Sequence, residues 1–124
     1  MTTHLLIPMS LNDRIRSDEL FDAIEKTQDT NTVHILVERG CNVNMRVEDG
    51  WTPLMAAANV GSWSIVKLLV DSGADVNALD DEYDSALGCA KSQSFQDVVE
   101  YLEPLCSESV RASAEKWYGR TSRE

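Results

Sequence analysis

The sequence predicts an all-α fold, built as a short solenoid of stacked helix-turn-helix units. Two observations carry that reading. The first is internal repetition at one fixed spacing. GCNVN at 40–44 returns as GADVN at 73–77, Thr52, Pro53 and Leu54 return as Ser85, Ala86 and Leu87, and Ala57 returns as Ala90, each 33 positions later. One match at a given spacing is cheap, whereas three at the same spacing mark a repeat array. The second is helical periodicity between these landmarks. Leu20, Phe21 and Ile24, then Val33, Leu36 and Val37, then Ile65, Val66, Leu68 and Leu69 each fall on one helical face.

The stretch from Asp49 to Leu79, DGWTPLMAAANVGSWSIVKLLVDSGADVNAL, resembles the ankyrin repeat, through its GxTPL opening, its alanine pair, a central glycine and a VxLLxxxGADVN ending. The resemblance covers residues from about 17 to 105 as three units. It implies an ankyrin-repeat solenoid whose helix pairs alternate with β-turn tips. The units are read at 17–46, 47–79 and 80–106, with a leader at 1–16 and a tail at 107–124.

The elements follow in order. In the leader, Ser10 and Asp13 favour a short helix through Arg16, with Leu11 and Ile15 on one face, capping the open end of the stack. Ser17 is a good N-cap for the first unit, and Asp18 and Glu19 suit the positive end of its helix. Gly40 stops that unit's second helix, where a left-handed residue is needed. Gln28 stands where the second unit has Gly61, and Glu19 to Phe21 stand in the TPL slot, departures that suit a terminal unit with a polar outer face. In the second unit Thr52 caps, Pro53 takes the first turn, Leu54, Ala57 and Ala58 face inward, Gly61 and Gly73 end the two helices, and Val76 anchors the turn. The family's histidine after TPL is replaced by Met55, which removes a hydrogen-bonded tie between successive loops. In the third unit Ser85 caps, Gly88 takes the histidine position, Cys89 and Ala90 form the small pair, Val98, Val99 and Leu102 fill the second helix, and Pro104 ends it. No GADVN follows. In the tail, Val110, Ala114 and Trp117 share a face and support a helix over about 108–118 with Trp117 packed on the last unit; disorder is expected beyond 119.

Composition bounds the function. At 124 residues, 43% hydrophobic and 26% charged, the chain suits one folded domain. Its longest apolar runs are too short to span a bilayer, and no signal peptide is read at the N-terminus. Cys41, Cys89 and Cys106 lack metal-ligand spacing, which argues for reduced thiols in a cytoplasmic setting. A net charge of −10 disfavours nucleic acid and anionic membrane, and favours a basic protein partner over mere solubility once the placement of the acids is considered. No catalytic constellation is present: His4 and His34 lack a nucleophile placed by a motif, no glycine loop cradles phosphate, and Asp80, Asp81, Glu82 and Asp84 lack the ligand spacing of a calcium loop. No cofactor or metal is expected.

In ankyrin arrays the tips and the outward side of the first helices form a concave binding face. Carried over by position, that face comprises Glu48, Asp49, Trp51, Asn59 and Val60 from the second unit, and Asp81, Glu82, Asp84, Ser92 and Gln93 from the third. From Asp71 to Glu103 there are nine acidic residues and one basic, Lys91. Trp51 reads either as a binding hot spot amid acids or as a ring folded over a neighbouring tip, and Trp63 reads as packing. The leading expectation is a non-enzymatic, monomeric module that binds a basic protein through this face. The alternatives are an immunity or antitoxin-like protein that neutralises a toxin enzyme such as a nuclease, a metal-dependent regulator or enzyme, and a fragment of a larger ankyrin protein. The architecture predicts a far-ultraviolet circular dichroism spectrum dominated by helix and unchanged by reductant or chelator; a strand-dominated spectrum would end the reading.

Overall fold

The computed structural model describes residues 19–118. The expected leader helix, the Ser17 cap, His4 and the stretch beyond 118 lie outside the described residues. Those that are described form helices and turns and contain no strand.

Residues 19–22 are helical and run into α1, a π turn at Ala23–Thr27. Then come α2 (Thr30–Glu38), α3 (Pro53–Val60), α4 (Trp63–Asp71), α5 (Ala86–Ser92), α6 (Gln96–Leu102) and α7 (Glu108–Tyr118). Short 3-10 turns fall at Glu48–Gly50 and Glu103–Leu105. Two layers result. In the inner layer α1 packs on α3, α3 on α5 and α5 on α7; in the outer layer α2 packs on α4 and α4 on α6.

Local chemistry sets the helix boundaries. The Thr52 hydroxyl accepts from the Met55 N–H at 3.2 Å, and Pro53 follows where its missing N–H leaves no bond unmade. One period later the Ser85 hydroxyl accepts from the Gly88 N–H at 3.1 Å. Asp29 caps α2 by accepting from the Asn31 N–H at 3.1 Å and the Thr32 hydroxyl at 2.8 Å. The core is continuous through the units: Leu20, Ile24, Val33, Leu54, Ile65, Val66, Leu69, Leu87, Val98, Val99 and Leu102 are fully buried. Ala56, Ala57, Ala58 and Ala90 are fully buried too, and their small side chains allow the inner helices to lie close together.

The turn between paired helices needs a left-handed residue, and it recurs at the repeat spacing: Gln28 (φ 52°), Gly61 (φ 76°) and Ser94 (φ 63°). Gln28, which departs from the glycine pattern, therefore keeps the glycine geometry. Only Gly61 has a second reason to be glycine, because the Phe95 ring lies 2.7 Å from where a Cβ would sit. Gly40 (φ 97°) and Gly73 (φ 100°) form a second left-handed pair at helix ends, as their sequence positions imply. The residue one period beyond Gly73, Cys106, is instead extended (φ −83°, ψ 155°), and the chain passes directly into α7 without building another tip.

Within α7, Val110 and Ala114 are buried but Trp117 is 69% exposed. The helix contacts α5 through its other residues, so the expected packing of Trp117 on the last unit is corrected: Tyr118, one position on, reaches back to the third unit instead. Trp63 is 39% exposed and meets Tyr101 edge-to-face, with centroids 5.8 Å apart, so it does pack on the next unit's outer helix.

Two substitutions test this packing. Leu69→Ala should destabilise the fold by about 2–5 kcal/mol, the usual cost of a core cavity. Gly61→Ala should lose about 1–2 kcal/mol from the left-handed backbone alone, and more because the Phe95 ring must move. Urea titrations followed by circular dichroism read both, and parental midpoints would show that the repeat register is wrong.

Candidate functional site

Two tips lie side by side, and backbone bonds set their register. In the first, Val47 N–H donates to Trp51 O at 2.9 Å and Gly50 N–H to Val47 O at 2.9 Å. In the second, Asp80 N–H donates to Asp84 O at 2.8 Å and Tyr83 N–H to Asp80 O at 2.9 Å, while the Asp80 carboxylate accepts from the N–H groups of Glu82 and Asp84, each at 2.9 Å. The pairs 47–51 and 80–84 are one period apart. The tips are joined by Asp81 N–H donating to Asp49 O at 2.9 Å and by the Arg46 guanidinium donating to Leu79 O. Gly50 (φ 76°) sits at this junction, and an added Cβ there would come within 2.8 Å of Asp81 Oδ1.

The ties lost with the family's histidine are supplied elsewhere. Met55, at that position, is buried as filler. Asn44 accepts from Asp75 N–H at 2.7 Å and donates to Gly73 O at 3.0 Å, and Asn77 accepts from Ser107 N–H at 2.7 Å. Each asparagine closes the unit's GxxVN ending onto the next unit. At the other end of the inner helices, Gln93 Nε2 donates to Asn59 Oδ1 at 3.1 Å.

The expected site residues divide into two groups. Glu48, Asp49, Asp81 and Glu82 are exposed on the adjacent tips. None of the four is in an ion pair among the described residues. Trp51 is half-buried and packs against the core, so its ring is only partly available. Asp84 is half-buried: one oxygen accepts from Ser85 N–H at 2.9 Å and the other from the Tyr118 hydroxyl at 2.6 Å. Asn59, Val60, Ser92 and Gln93 lie at the far ends of α3 and α5, away from the tips along those helices. Ser92 bonds to Cys89 O at 2.9 Å, and Val60 packs against the core.

Two residues escaped the sequence reading. Tyr83 occupies the turn slot of Gly50 one period on, keeps its left-handed backbone (φ 64°), and is 75% exposed among the acids. An aromatic at the glycine slot of a turn was the available signal. Arg46, spaced 33 from Leu79, bridges the tips. Lys91, the basic residue of the acidic segment, does not offset the tip charge at the surface: its side chain is 1% exposed and lies 3.7 Å from Glu103.

His34 is exposed and lies 3.5 Å from Glu38, with no nucleophile in that pair. Among the described residues, no group of three His, Cys, Asp or Glu side chains is placed to hold a metal ion. The thiols of Cys41, Cys89 and Cys106 are buried and free. Burial, with Asp84 and Asp80 nearby, pushes Cys89 up to about 12, and burial pushes Cys106 up to about 11.

The profile of the family described as ankyrin repeats in three copies matches residues 20–111. The chain belongs to the ankyrin-repeat family. It is 31% identical over 94 residues to the ankyrin repeat, SAM and basic leucine zipper domain-containing protein 1 of Notamacropus eugenii, covering 75% of this chain and 20% of that protein. It is 35% identical over 87 residues to protein phosphatase 1 regulatory subunit 12A of Mus musculus, covering 70% and 8%. It is 42% identical over 72 residues to the ankyrin repeat and KH domain-containing protein mask of Drosophila melanogaster, covering 56% and 2%. The chain thus spans a fifth or less of these relatives. Ankyrin repeats are protein–protein interaction modules, and the paired tips and inner helices here have that architecture. No described helix is long and apolar enough to cross a membrane.

The raised thiols give this array an alkaline weakness. A thiol whose folded value exceeds its ordinary value near 9 stays protonated in the native state while the unfolded chain ionises. Its contribution is complete below pH 9 and is lost as pH rises from 9 toward 12. Midpoints in urea should fall over that range, and Cys89→Ala should flatten the fall relative to the parent; equal slopes would exclude a buried Cys89 thiol.

Proposed function

We propose that this ankyrin array binds a basic segment of a protein partner through the acidic row on its two tips. One observation carries the reading. Glu48, Asp49, Asp81 and Glu82 project from adjacent tips locked together by the Asp81–Asp49 backbone bond, with no ion pair to any of them among the described residues. Holding like charges together costs free energy through mutual repulsion, and a cationic partner relieves it. Tyr83, exposed in the same row, offers a face for a guanidinium or ammonium group, and the partly exposed Trp51 borders it. Asp84 extends the row toward α5. Asn59, Val60, Ser92 and Gln93 form the wall along the inner helices against which a longer partner would lie. The array acts without cofactor or metal, as a monomer in a reducing compartment, and its net charge of −10 keeps it from nucleic acid and anionic membranes.

Rim charges mainly speed encounter and are screened over roughly 8 Å at physiological salt, whereas anchoring aromatics govern release. Surface plasmon resonance against immobilised arginine- and lysine-rich peptides, at two salt concentrations, separates the two roles. Neutralising Glu48, Asp49, Asp81 and Glu82 as amides should slow association about tenfold or more at low salt and much less at high salt. Tyr83→Ala, and to a lesser degree Trp51→Ala, should speed dissociation while the helical spectrum is kept. Binding unaltered by any of these changes would remove the acidic row as the site.

A further inference from the structure

Each inner helix is covered by the next: α1 by α3, α3 by α5, and α5 by α7. The last of these covers is built differently. In α3 the residues Pro53 to Ala58 are buried without interruption. In α7, Val110 and Ala114 are the buried residues of an eleven-residue helix. A helix of that length is marginal by itself in water and depends on the face it buries, which here is two small side chains. Its N-terminal end is tied by Ser107 N–H to Asn77. Its C-terminal end is tied by the Tyr118 hydroxyl, which donates to Asp84 Oδ2 at 2.6 Å.

That second tie has a place prepared for it. Gly88, in the first turn of α5, carries no side chain, and a Cβ there would collide with the Asp84 carboxylate and lie 3.0 Å from the Tyr118 ring. One period earlier the same position holds Met55, whose side chain fills the core. The carboxylate raises the Tyr118 hydroxyl well above its ordinary value, as expected for a phenol held by an anion. Beneath the contact lies Cys89, 5% exposed and close enough to Asp84 and Tyr118 for their charges to be felt.

We propose that α7 is a latched lid: it lifts from α5 while the three ankyrin units stay folded, and the Tyr118–Asp84 hydrogen bond sets how often it does so. Lifting exposes the α5 face around Cys89 and frees Asp84. Resting on the acidic-row reading given under Proposed function, the lid is also an autoinhibitory contact, because Tyr118 occupies a carboxylate that a basic partner would use. Such sub-global opening belongs to elements that bury little and are held by few bonds.

The test uses the full chain and its own cysteines. N-ethylmaleimide labelling under native conditions, read for each cysteine by mass spectrometry, reports opening at Cys89 under the lid and at Cys41 in the first unit. Cys89 should label faster than Cys41 in the parent. Tyr118→Phe, which removes one oxygen, should speed Cys89 labelling roughly tenfold, the worth of a hydrogen bond to a charged group, and leave Cys41 labelling and the thermal midpoint of the repeats unchanged. Equal rates at Cys89 and Cys41 in the parent would show that α7 opens only with global unfolding and overturn the lid. A faster Cys89 that ignores Tyr118→Phe would overturn the latch. Hydrogen exchange of the α7 amides, faster than those of α3 and α5, must agree. An octa-arginine peptide tests the competition: tighter binding to Tyr118→Phe than to the parent supports it, and equal binding excludes it. Failure of the peptide to bind either protein counts against the acidic row, and the labelling rates then decide the lid by themselves.

Discussion

The structure depends on the burial of α3 between two like neighbours. Its residues Pro53 to Ala58 are inaccessible to water because α1 lies on one side and α5 on the other. Neither unit could bury that surface alone, since the alanines offer little volume and gain their contacts only from a helix brought close. In such an array each interface supports the next, and stability is a sum over neighbours rather than the property of a central core. The outer helices follow from this arrangement: α4 closes the back of α3 with Ile65, Val66 and Leu69, and the Trp63–Tyr101 contact extends the same layer to α6.

The tips are positioned by that stack and hold their charge against it. Backbone bonds, not side-chain pairs, join Asp49 to Asp81, so the carboxylates remain outside the joint. Asp80 turns its carboxylate inward onto the N–H groups of Glu82 and Asp84, and this stabilises a loop that places Tyr83 in a left-handed conformation. Lys91, the basic residue nearest in sequence, is drawn inside toward Glu103. The charge imbalance of the whole chain thus becomes a local feature at one edge of the array.

The array also shows how a repeat is brought to a stop. Gly73 turns left-handed and leads into a tip, while Cys106, at the equivalent position, is extended and leads into α7. The inner layer continues for one more helix without an outer partner among the described residues. Asn77 performs the same bond to the following backbone in both senses, closing onto Ser107 as Asn44 closes onto Asp75. The missing histidine ties are therefore compensated by residues belonging to the repeat's own ending.

Much of the fold was legible in the chain because its determinants are local and periodic. Caps at Thr52 and Ser85, left-handed stops at Gly61 and Gly73, and apolar residues at helical spacing each act within a turn or two, and their return at 33 residues names the architecture. Gln28 and Ser94 were harder to place, since a turn can impose left-handed geometry on a residue that does not prefer it when the flanking helices are already packed. What only the tertiary structure decided were contacts between units. Whether Trp51 faced a partner or its own core, whether Trp117 or Tyr118 would touch the third unit, and which acids stayed exposed all depend on where a neighbouring helix lies. A side chain's periodicity assigns it to a face of its helix, but the distance and angle of the next helix determine what that face meets.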